Sequence, residues 1–266
     1  MRIVTLITDF GLRDGFVGVM KGVILGRAPQ CRVVDLSHEI EPGDIRSAAF
    51  VLYNAHRWFP VGTIHVAVVD PGVGGPRSAL AIRTDRAWFI GPDNGVLSWA
   101  VRDQAVRSAR QITNPRMFLR PVSQTFHGRD VFAPVAAHLA RGGRADQIGP
   151  EVQSWKQMPW PVPDRGAGGW RGEILYLDRF GNALTNIPTG DFQPEDGAPW
   201  AFVVPGRKRA RFPVGRFYAG VGSGEPIAVP GSSGFWELAV NGGSAAQRFG
   251  LKPGDPVEVV RMGRAR

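Results

Sequence analysis

The sequence predicts a two-part chain: an α/β N-terminal domain with a largely parallel central sheet, then a small all-β C-terminal domain, barrel or sandwich. Three observations carry this. Over the first ~150 residues, short β-branched runs alternate with segments of helical spacing, the pattern of βα units. Residues 156–169, KQMPWPVPDRGAGG, then shift the composition to Pro and Gly without periodicity, as a linker does. Beyond them come short apolar runs separated by turn residues, with scarce helical periodicity. The expected boundaries are therefore 1–155, a linker at 156–169, and 170–266.

Taken in order, residues 2–8 (RIVTLIT) form an apolar strand ending at Asp9, and FGLRDG leads into a helix over 16–25 with Phe16, Val19, Met20, Val23 and Ile24 on one face. CRVVDL (31–36) is a second strand, and a helix over 45–59 follows with Asp44 as its N-cap. Strands at 64–69, 80–83 and 88–90 come next, the last closed by a tight turn at Asp93-Asn94-Gly95. Asp130 caps a helix over 131–139, on which His138 is expected as a satisfied core histidine. The C-terminal strands are expected at 172–177, 201–204, 226–229, 235–240 and 257–261, with Trp155, Trp160 and Trp170 as packing anchors between domains.

Composition excludes several classes. Hydrophobic content of 43% with 21% charged residues is that of an ordinary globular protein. No apolar run reaches about 18 residues, so no membrane partner is expected. The N-terminal residues lack the apolar region and cleavage site of a signal peptide, which makes the cytoplasm the simplest location. A single cysteine, Cys31, rules out an internal disulfide and a cysteine-cluster zinc site. His38, His56, His65, His127 and His138 show no metal-ligand spacing, so no metal and no cofactor are expected. The net charge of +9 raises the question of an anionic partner. Yet the arginines are scattered, the basic runs at 207–211 and 261–266 lack interleaved aromatics, and no nucleic-acid-binding motif is present. No nucleic-acid partner is expected.

The most informative stretch is IHVAVVDPGVGGPRS (64–78). A buried strand ends on Asp70, and a stiff Pro/Gly loop returns at Arg77, beyond the carboxyl end of a strand where α/β sheets place their ligands. By itself this is either a turn-capping Asp beside a solvated Arg or a polar site on a rigid rim. It is not a phosphate-binding Walker loop, since no Gly-Lys-Ser/Thr follows. The same sequence of strand, polar residue and glycine recurs in ITDFGLRDGF (7–16), QTFHGRD (124–130), LDRFGNALTNI (177–187) and GSSGFWELAVNGGSAA (231–246). Together, across nearly the whole chain, these segments resemble the S-adenosylmethionine hydroxide adenosyltransferases, water-using relatives of the fluorinases and chlorinases.

The resemblance implies hydrolysis of S-adenosyl-L-methionine to adenosine and L-methionine by attack of water on C5′. The family's Asp-Arg-His trio falls on Asp70, Arg77 and His127, whereas the hydroxyl positions of the halide pocket fall on Val73 and Gly128. The sulfonium leaves without protonation, so the difficulty is holding a weak nucleophile in line behind C5′. Asp70 and His127 can accept hydrogen bonds from that water, neutral imidazole with a pKa near 6.5 suits general-base work, and Arg77 either stabilises hydroxide character or orients Asp70. For binding, the resemblance places Asp9 on the ribose hydroxyls, although a strand-end cap is the plain alternative. Asp14 would help enclose the substrate, and Phe126 belongs to the same site. Asp178 and Ser232 would hold the methionine amine and carboxylate. Phe180, Asn182 and Phe217 would form the adenine pocket, with Glu237 and the Val240 backbone on the strand that closes it. Ser233 stands where the halogenating members carry an arginine. The family implies a homotrimer with each site between one subunit's N-terminal domain and a neighbour's C-terminal domain. The rival functions are a halide-using adenosyltransferase and a non-catalytic adenosine or S-adenosylmethionine binder.

Overall fold

Alternation with a period of two explains why the N-terminal sheet is covered on both faces. Ile64, Val66 and Val68 of one strand share a core with Met20, Ile24, Val135 and Leu139, while Ala67 and Val69 next to them share another with Ala48, Leu52 and Ala100. The computed structural model describes residues 2–166, 169–194, 200–207 and 210–262. Lys208, Arg209 and the arginines at 264 and 266, which contribute to the two basic runs, lie outside the described residues. The chain divides into two compact units, 1–159 and 160–266.

In the first unit, β1 (Ile3–Thr8), β2 (Arg32–Ser37), β3 (Thr63–Val68) and β5 (Ala87–Pro92) are parallel, while β4 (Ala79–Thr84) runs against both β5 and β6 (Val106–Gln111). The order is β2-β1-β3-β5-β4-β6, a mixed sheet of mostly parallel strands. Helices α1 (Phe16–Arg27) and α4 (Ala133–Ala140) contribute to the core on one face; α2 (Ile45–His56) and α3 (Ser98–Val101) contribute to the other. The connections from β1 diverge, to β2 through α1 and then back past β1 to β3 through α2. The carboxyl ends of β1 and β3 therefore flank a topological switch point.

Asp44 caps α2 as expected, its carboxylate accepting from the Ser47 backbone N–H at 2.9 Å. Asp130 does not cap α4. It lies inside a single π-helical turn, Gly128–Phe132, that precedes the helix, and its carboxylate accepts from the Ser123 N–H at 2.8 Å and from the Arg129 guanidinium. Asn94 goes beyond a turn residue, since its amide donates to the Val69 carbonyl at 2.8 Å. His138 is satisfied, with Nε2 3.0 Å from the Arg144 carbonyl, but sits half-buried at the helix end and not in the core. Strand β6, VRSARQ, escaped the periodicity reading because, as an edge strand, it carries four polar residues and fully buries only Ala109.

The second unit is an antiparallel sheet in the order β11-β10-β14-β8-β9-β13-β12, with β7 pairing β8. Its strands are β7 (Asp164–Gly166), β8 (Gly169–Leu177), β9 (Ala183–Pro188), β10 (Trp200–Val203), β11 (Arg211–Pro213), β12 (Pro226–Pro230), β13 (Phe235–Val240) and β14 (Pro256–Arg261). It curls until the residue after β11 reaches β12, where Val214 bridges Ala228, giving a near-barrel around Phe202, Phe212, Trp236 and Leu238. Strand β7 falls in the stretch expected as linker, and a short helix, α5 (Ala245–Phe249), follows β13. Trp155 packs on the core of the first unit and Trp170 on that of the second, while Trp160 lies against Phe235. Among the described residues no helix is long and apolar enough to cross a membrane.

Candidate active site

Adjacent parallel strands bring two carboxylates together. Thr8 of β1 is in register with Val68 of β3, so the chain just past each strand delivers Asp9 and Asp70 to the same rim. Asp9 anchors the loop before α2 by accepting from the Gly43 N–H at 2.8 Å. After Asp70 two consecutive turns, Val73 N–H to Asp70 carbonyl and Gly75 N–H to Gly72 carbonyl, fold the Pro/Gly loop back on itself. Arg77 thereby returns to Asp70: Nε donates to both carboxylate oxygens at 3.0 and 2.9 Å, and a terminal nitrogen also bonds Oδ2. The same terminal nitrogen lies 2.7 Å from His127 Nδ1. Arg77 is the bridge of an Asp-Arg-His trio gathered from positions fifty residues apart.

The third member arrives on a separate loop whose placement depends on one glycine. Gly74 has φ +76°, and a Cβ there would lie 2.2 Å from the Gln124 carbonyl oxygen. Only glycine lets the two loops meet this closely. Asp130, almost wholly buried, ties the same loop down through Ser123 and Arg129, which the sequence reading missed. The Arg77 guanidinium is backed by the Phe132 ring, 5.7 Å from its centroid.

Hydrogen-bond chemistry assigns the histidine. A guanidinium only donates, so Nδ1 must be an unprotonated acceptor and the imidazole is neutral with its proton on Nε2. Burial lowers the His127 pKa, the Arg77 charge lowers it further, and Asp70 and Asp130 oppose. Nδ1 is therefore engaged with Arg77, which leaves Asp70 as the trio's acceptor.

Asp70 and His127 line an open pocket of about 520 Å³ in the first unit, together with Asp9, Phe10, Phe16 and Phe126. Arg77 is not among the lining residues, and neither is Asp14, which is exposed on the loop before α1. The second unit carries its own pocket of about 640 Å³, lined by Asp178, Phe180, Asn182, Ser232, Glu237 and Val240. There the Asp178 carboxylate accepts from the Phe180 and Asn182 N–H groups and the Asn182 amide, holding a turn closed by Gly181. Phe217 is 61% exposed and lies outside this lining; its neighbour Tyr218 belongs to the lining and donates to Glu237 at 2.6 Å. Burial raises the Glu237 pKa and Asp178 adds to the rise, while the Tyr218 hydrogen bond opposes it. Among the described residues no three His, Cys, Asp or Glu side chains are grouped to hold a metal ion.

A mostly parallel α/β sheet carrying this trio at its switch point, joined to a curled antiparallel unit, defines the class. Residues 4–149 match the SAM hydroxide adenosyltransferase N-terminal domain and residues 172–258 the C-terminal domain of the same name, and the chain belongs to that family. Among individual relatives, it is 42% identical to an (R)-S-adenosyl-L-methionine hydrolase of Thermus thermophilus, covering 98% of this chain and 100% of that one. A fluorinase of Nocardia brasiliensis is 26% identical over 97% and 96% of the two chains. A crystal structure of an uncharacterized conserved protein from Thermotoga maritima superposes with a TM-score of 0.88 at 38% identity, covering 96% and 99%.

Proposed function

We propose that this protein hydrolyses S-adenosyl-L-methionine to adenosine and L-methionine. The observation that carries this reading is the Arg77 bridge, which pins Asp70 and a neutral His127 beside one pocket in a chain 42% identical to a named (R)-S-adenosyl-L-methionine hydrolase. The water oxygen bonds to C5′ while the C5′–S bond breaks; its electron pair stays on sulfur as a neutral thioether, and one proton is released. The oxygen carries both hydrogens as the new bond forms, which makes it strongly acidic, so a carboxylate suffices as acceptor. Asp70 takes that proton. The His127 Nε2–H donates to the second lone pair of the water and aims the first at carbon, and Arg77 acts as a positioning residue for both.

Asp9 holds the ribose hydroxyls and Phe126 packs in the same pocket; the second unit's pocket receives the amino-acid and adenine ends. The halide reading is disfavoured because Val73 and Gly128 supply no hydroxyl, and a Cβ at Gly128 would meet Met20 Sδ at 3.0 Å and two phenyl rings at 3.3 and 3.4 Å. Assembly as a homotrimer belongs to the same reading, supported by exposed Leu12, Phe16 and Val19 in the first unit and Phe180, Phe217 and Tyr218 in the second. A free, buried Cys31 fits a reducing, cytoplasmic location. The test is incubation with S-adenosylmethionine in oxygen-18 water. Adenosine labelled at the 5′ oxygen, released with methionine, is expected; bound ligand without product would leave a binding protein.

A further inference from the structure

The topology of the first unit constrains the segment from Asp70 to Arg77 from outside. Strand β3 leads into it and β4 leads out, yet β5 lies between them in the sheet. The segment therefore passes over the carboxyl end of β5, across two strand spacings of about 4.8 Å each. Strand β5 ends at Pro92, in register with Ala79 of β4, and the next two residues reach both roots of the crossing. The Asp93 backbone N–H donates to the Ser78 carbonyl at 2.9 Å, just after Arg77. The Asn94 amide donates to the Val69 carbonyl at 2.8 Å, just before Asp70. Asn94 Oδ1 accepts from the Val96 N–H at 3.1 Å, which fixes the end of the amide that faces Val69. The two bonds differ in kind. A backbone N–H at position 93 comes with almost any residue, whereas the donor to Val69 exists only because residue 94 carries an amide. The β3–β5 ladder reaches Val66 opposite Ile90, so this side chain carries the hold on β3 further, to the buried residue that adjoins Asp70.

We propose, resting on the reading of the trio as the site of hydrolysis, that Asn94 is a positioning residue for the reaction. It fixes where β3 releases the chain, and so where Asp70 meets Arg77 and Arg77 meets His127. Asn94 is not among the residues lining the pocket of the first unit, so it acts through the loop and not on the substrate. Arg77 must reach Asp70 and His127 together, at 2.9 and 2.7 Å, so a shift of the loop root by about 1 Å breaks one of these bonds.

The test uses Asn94→Ala and Asn94→Ser in the full chain. Serine keeps an acceptor for the Val96 N–H but is too short to reach Val69. In both variants kcat for S-adenosylmethionine is expected to fall by roughly 30-fold or more, with KM within about threefold of its original value. Thr84→Val removes hydrogen bonds at the far end of β4 and is expected to lower the melting temperature while keeping kcat. NMR of histidine-labelled protein adds a readout independent of turnover. Burial and then the Arg77 charge hold the His127 pKa down, with Asp70 and Asp130 opposing. Displacement of Arg77 in the Asn94 variants should let that pKa rise towards the ordinary value. An unchanged kcat, a loss carried by KM, or an unchanged His127 titration in a folded variant would overturn the inference. An equal loss of kcat in Thr84→Val would do the same, as would failure of both Asn94 variants to fold, which would make Asn94 a requirement of the sheet alone. If the unsubstituted protein does not turn over S-adenosylmethionine, the functional reading fails separately, and the His127 titration alone decides whether Asn94 positions the trio.

Discussion

Arg77 makes bonds that a lysine cannot reproduce. Its fork meets both oxygens of Asp70 and still reaches His127 Nδ1, whereas an ammonium offers one point of charge on a flexible stem. Arg77→Lys keeps the charge and loses the geometry, so kcat is expected to fall by roughly 100-fold, as for a misplacement of about 1 Å, with KM changed little. Steady-state kinetics check this; a lysine variant with normal kcat would reduce the bridge to a surface ion pair. The His127 assignment has a pH consequence. The pKa is depressed below the ordinary imidazole value of about 6.5, so the neutral form that accepts from Arg77 persists throughout the range above it. Activity should hold as pH falls to that value and decline only below it, where protonation of Nδ1 ejects Arg77. An acid limb in kcat/KM centred above about 6.5 contradicts the assignment.

At the scale of elements, the site is made by two loops held in register, one after β3 and one before α4. Their contact at Gly74 requires both a positive φ and no side chain, since Gln124 occupies the place of a Cβ. Gly74→Ala is expected to cost about 2 kcal/mol and to lower kcat as the loops part. Urea unfolding and turnover together measure this; an unchanged value of both means that the loops adjust freely. Asp130 shows the same economy of means. The residue expected to cap a helix instead fastens the strand of chain that presents His127, because the π-helical turn moves the start of α4 two residues along.

For the whole molecule, stability is tied to pH through the core behind the site. His65 is completely buried on β3, stacked on Phe89, with its pKa pushed down to about 3 by burial and then by His56; that of His56 is pushed down to about 4, chiefly by burial. Both folded values lie below the unfolded one, near 6.5. The unfolded chain therefore binds protons first as pH falls, and stability present above pH 6.5 is lost progressively towards pH 3–4. The melting temperature should drop through that window; a flat profile from pH 7 to 4 would remove these histidines from the balance. Assembly belongs to this scale too, and sedimentation at three times the chain mass is the expected result for the proposed trimer.

Periodicity and turn residues determined the alternating strands and helices of the first unit and the all-β character of the second, because burial on one or both faces imposes its period directly on the residues. Asp70 and Arg77 were legible as a possible polar site around a Pro/Gly loop, and His127 joined them only through the family resemblance. What decided the trio's meaning lies in no local stretch: the β1–β3 register that sets Asp9 beside Asp70, the approach at Gly74, and the donor that leaves His127 neutral. The polar edge strand β6 and the π-helical turn were equally hidden. Contacts between residues far apart in sequence depend on where the backbone carries each side chain, and that placement is settled only when the whole core packs.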